Sequence, residues 1–336
     1  VRGAVIARQL TLKRRPVDGF AVDDFALREV ELPRPGPGQV LVRNSHISVD
    51  PYMRAMIVQG PTTHVPYEAG RPMSGGAVGE VVASGTGQLS PGDRVAHLHG
   101  WRDAALLDAT EVSPIDISVA PPSTHLGALG LTGFTAWVGL TQLGRLSAGE
   151  TVFVTAAAGG VGSVAGQLAR RGGAARVIGS AGSPEKARFA VEACGFDAAF
   201  DRHDGSPAER LAALAPAGID VVLDGVGGAQ LEAAIGAMRQ GGRVVLCGAM
   251  SQASIWDPAP GPRNLALAIP KRLLVQGYVA SDHERLRPVF AEELAAALAD
   301  GSLTAHETVV DGLERAPQAL LDLLAGRTRG KTIVAL

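Results

Sequence analysis

Two cysteines in 336 residues, Cys194 and Cys247, cannot build a disulfide framework, and that scarcity fits a reducing, cytoplasmic setting. No run approaches the roughly 18 consecutive apolar residues of a membrane-spanning helix, which excludes that class of membrane partner. The N-terminus shows no signal-peptide layout. A net charge of -2, with no long basic run, argues against nucleic acid as a partner. The local cluster Arg170, Arg171 and Arg176 reads as a solvated helix end. Tyrosine is scarce, with three residues (Tyr52, Tyr67 and Tyr278), so few phenolic donors are available to any active site. Lysine is scarcer still relative to its counterpart: four lysines stand against 27 arginines among the 31 basic residues. Each lysine therefore invites a reason for its position.

What is abundant is glycine, and its most informative use lies in residues 151–186, TVFVTAAAGGVGSVAGQLARRGGAARVIGSAGSPEK. Residues 151–155 form an apolar, β-branched run of strand character. The chain then turns through Ala156, Ala157, Ala158, Gly159, Gly160, Val161 and Gly162 and continues in helical period through Val164, Leu168 and Ala169. A second strand is predicted at 176–180. Strand, glycine turn, helix and strand make the βαβ unit that seats a dinucleotide pyrophosphate on a helix N-terminus. Gly159 is expected to let the backbone approach the phosphates, and Gly162 to let the helix pack closely on the strand. The first glycine of the usual G-x-G-x-x-G is replaced, giving A-x-x-G-x-x-G.

An NAD site carries Asp or Glu about 20 residues after the first glycine to grip the ribose hydroxyls. Here the second strand ends in Gly179-Ser180-Ala181-Gly182-Ser183, without an acid. Ser183-Pro184 follows as N-cap and first helical residue, which puts Lys186 in the first turn of the next helix. A cation there opposes the helix dipole, so its position favours a ligand role. Charge-assisted bonds of roughly 1.5–3 kcal/mol to a 2′-phosphate would favour NADP over NAD by about tenfold or more. NADP(H) is the expected cofactor.

The length supports about two domains. Up to about residue 125, short apolar runs at 39–43, 79–83 and 94–98 are cut by turn signals such as Pro35-Gly36-Pro37-Gly38 and Pro91-Gly92-Asp93, a β-barrel pattern. Beyond it, strands alternate with helices, as in a doubly wound sheet, with candidate strands at 151–155, 176–180, 219–223, 243–247 and 274–279. A helix at 316–324 and a strand at 332–336 are expected to return to the first domain. The expected architecture is therefore α/β: a β-barrel catalytic domain of residues 1–125 and 305–336, with a Rossmann NADP-binding domain of residues 126–304.

Ile47-Ser48-Val49-Asp50-Pro51-Tyr52-Met53-Arg54 resembles the SVDPYMR segment of the medium-chain dehydrogenase/reductase superfamily. More narrowly, it resembles the zinc-independent, NADPH-dependent double-bond reductases: prostaglandin, alkenal and curcumin reductases. The likeness continues through Gly75 to Val82, Gly130 to Ala136, Asp224-Gly225-Val226-Gly227-Gly228, Gly241 to Ala249, Gly277-Tyr278 and Gly330-Lys331-Thr332-Ile333-Val334, and spans essentially the whole chain. It implies a GroES-like catalytic domain, a Rossmann domain and a homodimer. Position by position, it implies that Ala158, Gly159, Gly160 and Val161 hold the pyrophosphate and Lys186 the 2′-phosphate. Cys247, Gly248 and Ala249 would run beside the nicotinamide, with Tyr278 and Val279 near its carboxamide.

Departures from the family pattern also matter. The F-N-Y-K stretch reads Phe200-Asp201-Arg202-His203, where Arg202 could stack on adenine or pair with the phosphate. Gly225 replaces the asparagine of D-N-V-G-G, and Thr328 the one before the last G-K, a cofactor-contacting position in the resemblance. S-Q-Y-N reads Ser251-Gln252-Ala253-Ser254, which removes the family's hydroxyl donor.

The activity this resemblance implies is reduction of an α,β-unsaturated ketone or aldehyde, with hydride going to the β-carbon and a proton to the α-carbon. Donors aimed at the carbonyl oxygen supply much of such a rate. Tyr52 is the first candidate donor, Tyr67 the second, in a loop spanning 61–72, and the cofactor ribose hydroxyl a third. Zinc-dependent relatives need Cys, His and acid ligands in the first domain. This chain has no cysteine before Cys194 and no His or Glu between Met73 and Gly79. His97 and His99 are expected to point apart, which argues against a shared ion. Cys194 reads as core packing. The competing readings are a quinone reductase and a sensor that binds NADPH with little turnover.

Overall fold

The computed structural model describes residues 5–16, 19–59, 65–252 and 260–336. Two compact units divide the chain: Val1–Leu126 with Glu307–Thr328 and Thr332–Leu336, and Gly127–His306 with Arg329–Lys331.

The first unit is built on antiparallel strands. β1 (Val5–Leu12) and β2 (Phe25–Leu32) form a two-stranded ladder, with Val5 opposite Leu32 and Leu12 opposite Phe25. β3 (Gln39–Val49) is long and β-branched, and α1 (Tyr52–Val58) follows it directly, with Pro51 at the N-cap. α1 buries Met53, Met56 and Ile57 and stops at Gln59, whose φ of 56° is left-handed. β4 (Ala77–Ser84), β5 (Arg94–His97), β6 (Ala104–Asp108) and β7 (Ser113–Pro114) complete the N-terminal part. One edge of β3 pairs with β4 and the other, over Gln39–Arg43, with β6. Val40, Val42, Val81, Val95 and Leu107 make a core cluster, and Leu41 between Val40 and Val42 is buried as well, so β3 is covered on both faces there.

The second unit begins with α2 (Leu131–Trp137), which runs on into a π-helical turn at Val138–Leu143. There follow β8 (Thr151–Val154), α3 (Gly160–Arg171), β9 (Arg176–Ala181), α4 (Pro184–Ala193), β10 (Ala198–Asp201), α5 (Pro207–Leu214), β11 (Ile219–Asp224) and α6 (Gly228–Ala237). β12 (Met238–Leu246), α7 (Ala268–Lys271), β13 (Leu274–Gly277) and α8 (Arg287–Ala299) end it. The sheet is parallel, in the order β10-β9-β8-β11-β12-β13. Its inner strands β8 and β11 are short and almost wholly buried, because helices cover both faces. One layer packs Phe134, Trp137, Val164, Ala169 and Phe290, and the other Leu211, Leu231 and Ala234. β10 was not among the expected strands: it is four residues long, at the sheet edge, and carries too little pattern to stand out.

The C-terminal segment contains β14 (Glu307–Asp311), α9 (Ala316–Leu324) and β15 (Lys331–Ala335). β15 pairs with β3, Thr332 opposite Val49, within the first unit. Arg329–Lys331 instead belongs to the second.

Candidate cofactor and active site

The glycine turn leaves β8 and enters α3 with Gly159 at the N-cap. The first N–H groups of a helix have no intrahelical acceptor, and here they are carried by Gly160, Val161 and Gly162, so the turn presents donors to an anion. Ala156 has φ of 50°, the left-handed region in which glycine is at ease, and this is the residue standing in for the missing first glycine. Gly162 is fixed by close approach: a Cβ there would lie 2.3 Å from the Ala156 carbonyl oxygen. The tight contact is thus with the turn that follows the strand. Gly159 is less constrained, with a nearest contact of 3.2 Å for an added Cβ. The Ala158 carbonyl accepts a 2.8 Å bond from the Gly330 N–H, which ties the 329–331 segment to the turn.

Past β9, Ser183 caps α4: its hydroxyl accepts from the Lys186 N–H at 3.3 Å, and Pro184 opens the helix. Lys186 therefore sits in the first turn, half-buried. Burial, followed by the charges of Arg202 and Arg329, pushes its pKa below the usual lysine value. Arg202, beyond the end of β10, places its guanidinium 3.7–3.9 Å from where a Cβ of Gly182 would be. Its Nε donates to His203 Nε2 at 3.1 Å. A cradle of backbone donors with converging cations beside it fits a dinucleotide that ends in a phosphate monoester.

At the ends of β11 and β12 the backbone is held by a buried acid that sequence reasoning passed over. Asp224 accepts from Thr155 Oγ1 (2.8 Å), the Val226 N–H (3.1 Å) and the Gly227 N–H (2.8 Å). Burial raises its pKa against these bonds, which lower it. Its carbonyl oxygen accepts from the Cys247 N–H at 2.8 Å and from the Cys247 thiol at 3.3 Å. An Asp before Gly-x-Gly-Gly was the available signal, since such a side chain caps the turn after it. Burial, joined by the Asp224 charge, lifts the Cys247 thiol to about 12, so it is not a nucleophile at neutral pH. Gly248 and Ala249 are exposed, and a Cβ on Gly248 would meet the Gly225 carbonyl oxygen at 3.0 Å. Tyr278 donates its hydroxyl to the Thr135 carbonyl at 2.5 Å, so its phenol is engaged; burial raises its pKa. Val279 next to it is half-buried. Ala253 lies outside the described residues, as do 61–64 of the expected pocket loop.

In the first unit, Tyr52 and Tyr67 come together beside Asp50. Burial raises both phenols, Tyr52 well above the ordinary value, and the Asp50 charge adds to each. Asp50 itself is buried and accepts a hydrogen bond from Ser48 Oγ. Tyr67 donates its hydroxyl to the Ser74 carbonyl at 2.5 Å, and Arg15 clamps its backbone oxygen at 2.7 Å. Thr328 is buried in the same unit, its Oγ1 accepting from Thr332 Oγ1 at 3.0 Å.

The expectation that His97 and His99 point apart does not hold. Residues two apart in extended chain share a face, and although β5 ends at His97 the rings of His97 and His99 lie 6.2 Å from each other. His97 is nonetheless committed elsewhere: Nε2 bonds Asn44 Oδ1 at 2.9 Å, and Nδ1 accepts from the His99 N–H at 3.1 Å. His99 pairs with Glu111 at 2.9 Å. Among the described residues, no group of three or more His, Cys, Asp or Glu is placed to hold a metal ion. Among the same residues, no helix is long and apolar enough to cross a membrane.

A β-rich unit followed by a parallel sheet with a glycine turn defines a dinucleotide-type oxidoreductase fold. Residues 8–115 match the family described as the N-terminal domain of oxidoreductase, and 160–296 the one described as zinc-binding dehydrogenase. The NADPH-dependent curcumin reductase of Escherichia coli is 36% identical over 332 residues, covering 97% of this chain and 96% of that protein. Prostaglandin reductase 1 of Mus musculus is 35% identical over 336 residues, covering 98% and 99%. CurA of Vibrio vulnificus, solved in complex with NADPH, superposes with a TM-score of 0.90 at 36% identity over 98% of each chain. The chain belongs to the medium-chain dehydrogenase/reductases, in the zinc-independent group of curcumin and prostaglandin reductases.

Proposed function

We propose that this protein is an NADPH-dependent reductase of the carbon–carbon double bond in α,β-unsaturated ketones and aldehydes. The observation that carries the reading is the chain-long likeness to curcumin and prostaglandin reductases, matched by this chain's own glycine turn and by the cations about the first turn of α4. Bound NADPH supplies the hydride that reaches the β-carbon of the substrate.

The chain's own residues do the rest. The turn at Ala158, Gly159, Gly160 and Val161 holds the pyrophosphate through backbone N–H groups. Lys186 and Arg202 pair with the 2′-phosphate. The backbone at Cys247, Gly248 and Ala249, anchored through Asp224, lines the nicotinamide side, with Tyr278 and Val279 beside it; Thr328 is a further cofactor contact. Tyr52 donates to the carbonyl oxygen as charge builds there. Tyr67 ranks second because it lies outside the Ile47 to Arg54 segment that carries the family likeness. The first unit thus serves as the catalytic domain and the second as the cofactor domain.

The same reading includes a homodimer formed through β13. That strand ends the sheet, all four of its residues are exposed, and Leu274 (46% exposed) and Val275 (36%) present apolar surface. Ile269 nearby is 80% exposed. A second copy adding the same edge would satisfy both the open ladder and the apolar surface.

NADPH oxidation followed at 340 nm with a panel of enones, quinones and no substrate tests the activity. Enone-dependent turnover is the expected result. Faster turnover with quinones, or tight NADPH binding without turnover, would replace the reading by a quinone reductase or a sensor.

A further inference from the structure

Arg329 is far in sequence from the glycine turn, yet the fold seats it there. Its neighbour Gly330 bridges to Gly159 and donates to the Ala158 carbonyl at 2.8 Å. Gly330 has φ of 60°, and a Cβ on it would lie 2.0 Å from the His306 carbonyl oxygen. Lys331 donates its N–H to that same oxygen at 2.8 Å, so the backbone on the C-terminal side of Arg329 is fixed from two directions. The guanidinium lies 5.6 Å from the centroid of the Phe189 ring. Phe189 is one helical turn past Lys186 on α4, and its ring also packs edge-on against His306 at 5.0 Å.

Three cations from three separate stretches therefore gather about the first turn of α4: Lys186 from the helix, Arg202 from beyond β10 and Arg329 from the C-terminal segment. Arg202 and Arg329 both oppose the charge on Lys186. Glu185, in the same turn, offsets part of this, its carboxylate held low by hydrogen bonds from its own N–H and Ser183 and then by Arg188 and Arg329. A multiply charged anion placed among them would be attracted by all three.

We propose that Arg329 is a specificity-determining residue, the third cation that grips the 2′-phosphate of NADPH and discriminates against NADH. This rests on the NADPH reading above and extends it to a residue outside the glycine turn and its following helix. A guanidinium suits the role because its planar fork binds phosphate oxygens in pairs.

The test is calorimetric binding of 2′,5′-ADP and 5′-AMP, probes with and without the phosphate, to the wild type and to Arg329→Ala, Arg329→Lys and Lys186→Ala. Arg329→Ala is expected to weaken 2′,5′-ADP by about tenfold, the low end for a charge-assisted bond at an exposed site. 5′-AMP should bind unchanged, and Arg329→Lys should keep part of the preference. Unaltered 2′,5′-ADP binding by Arg329→Ala, or equal weakening of both probes, would overturn the role of Arg329. If Lys186→Ala loses the preference while Arg329→Ala keeps it, NADPH selectivity stands without Arg329. A wild type that binds both probes equally would remove the NADPH reading itself. Thermal melts of each variant identify any change caused by unfolding.

Discussion

At the residue scale, Ala156 shows how a familiar fingerprint can lose a glycine and keep its geometry. The left-handed backbone is retained at φ 50° and the alanine pays for it in strain, on the order of 1–2 kcal/mol. Its side chain is exposed, so removing the Cβ sacrifices little packing. Ala156→Gly relieves the strain but adds about 0.4–1 kcal/mol of unfolded-chain entropy. The net expectation is a gain of about 0.5–1 kcal/mol in urea denaturation of the full chain, and a loss of stability would show that the conformation is unstrained. The Tyr67 hydroxyl is committed to the Ser74 carbonyl, which its sequence position does not reveal, whereas Tyr52 lies in the segment that carries the family likeness. Tyr52→Phe should lower kcat for enone reduction by about 10²–10³, the usual effect of losing one oxyanion donor, with the KM for NADPH little changed. Tyr67→Phe should cost much less; the reverse ranking would transfer the role to Tyr67.

At the element scale, the loop after β5 depends on a neutral imidazole. Burial, then the neighbouring His99 and Arg102, push His97 down to about 3. Asn44, which bonds His97, also donates to the His99 and Arg102 carbonyl oxygens at 3.4 and 2.8 Å. The unfolded chain would take up this proton near pH 6.5, the folded one only near pH 3. The unfolded state therefore binds more protons across that window. Its contribution to stability is fully present above pH 6.5 and lost as pH falls toward 3, an effect on the order of 3–5 kcal/mol. Urea midpoints measured from pH 7.5 to 4.5 should fall less steeply for His97→Gln than for the wild type, and parallel slopes would assign the acid sensitivity to other groups. The elements themselves were largely readable. Ser183 and Pro184 announce α4 because capping and a fixed proline φ are local effects. The strand at Ala198–Asp201 was not, since four residues at a sheet edge acquire their conformation from pairing with β9.

At the scale of the whole molecule, β13 governs the proposed assembly. Leu274→Asp places a charge on the open apolar edge, where a second copy would have to bury it unpaired. Light scattering after size exclusion should show the wild type as a dimer and this variant shifted to monomer, with circular dichroism unchanged. A dimeric variant, or a monomeric wild type, would count against the edge as the interface.

The sequence by itself determined five of the six parallel strands, the helix N-terminus that follows β8, and the placement of Lys186 in a first turn. Each follows from periodicity, capping or glycine chemistry acting over a few residues. Tertiary structure decided what long-range contact must decide. It brought Arg329 and Arg202 to Lys186, set Tyr52 and Tyr67 beside Asp50, committed the Tyr278 and Tyr67 hydroxyls, and made Asp224 the buried anchor of two loops. Charges and hydrogen-bond partners supplied from distant parts of the chain leave no local pattern, so their effect on the site exists only once the chain has folded.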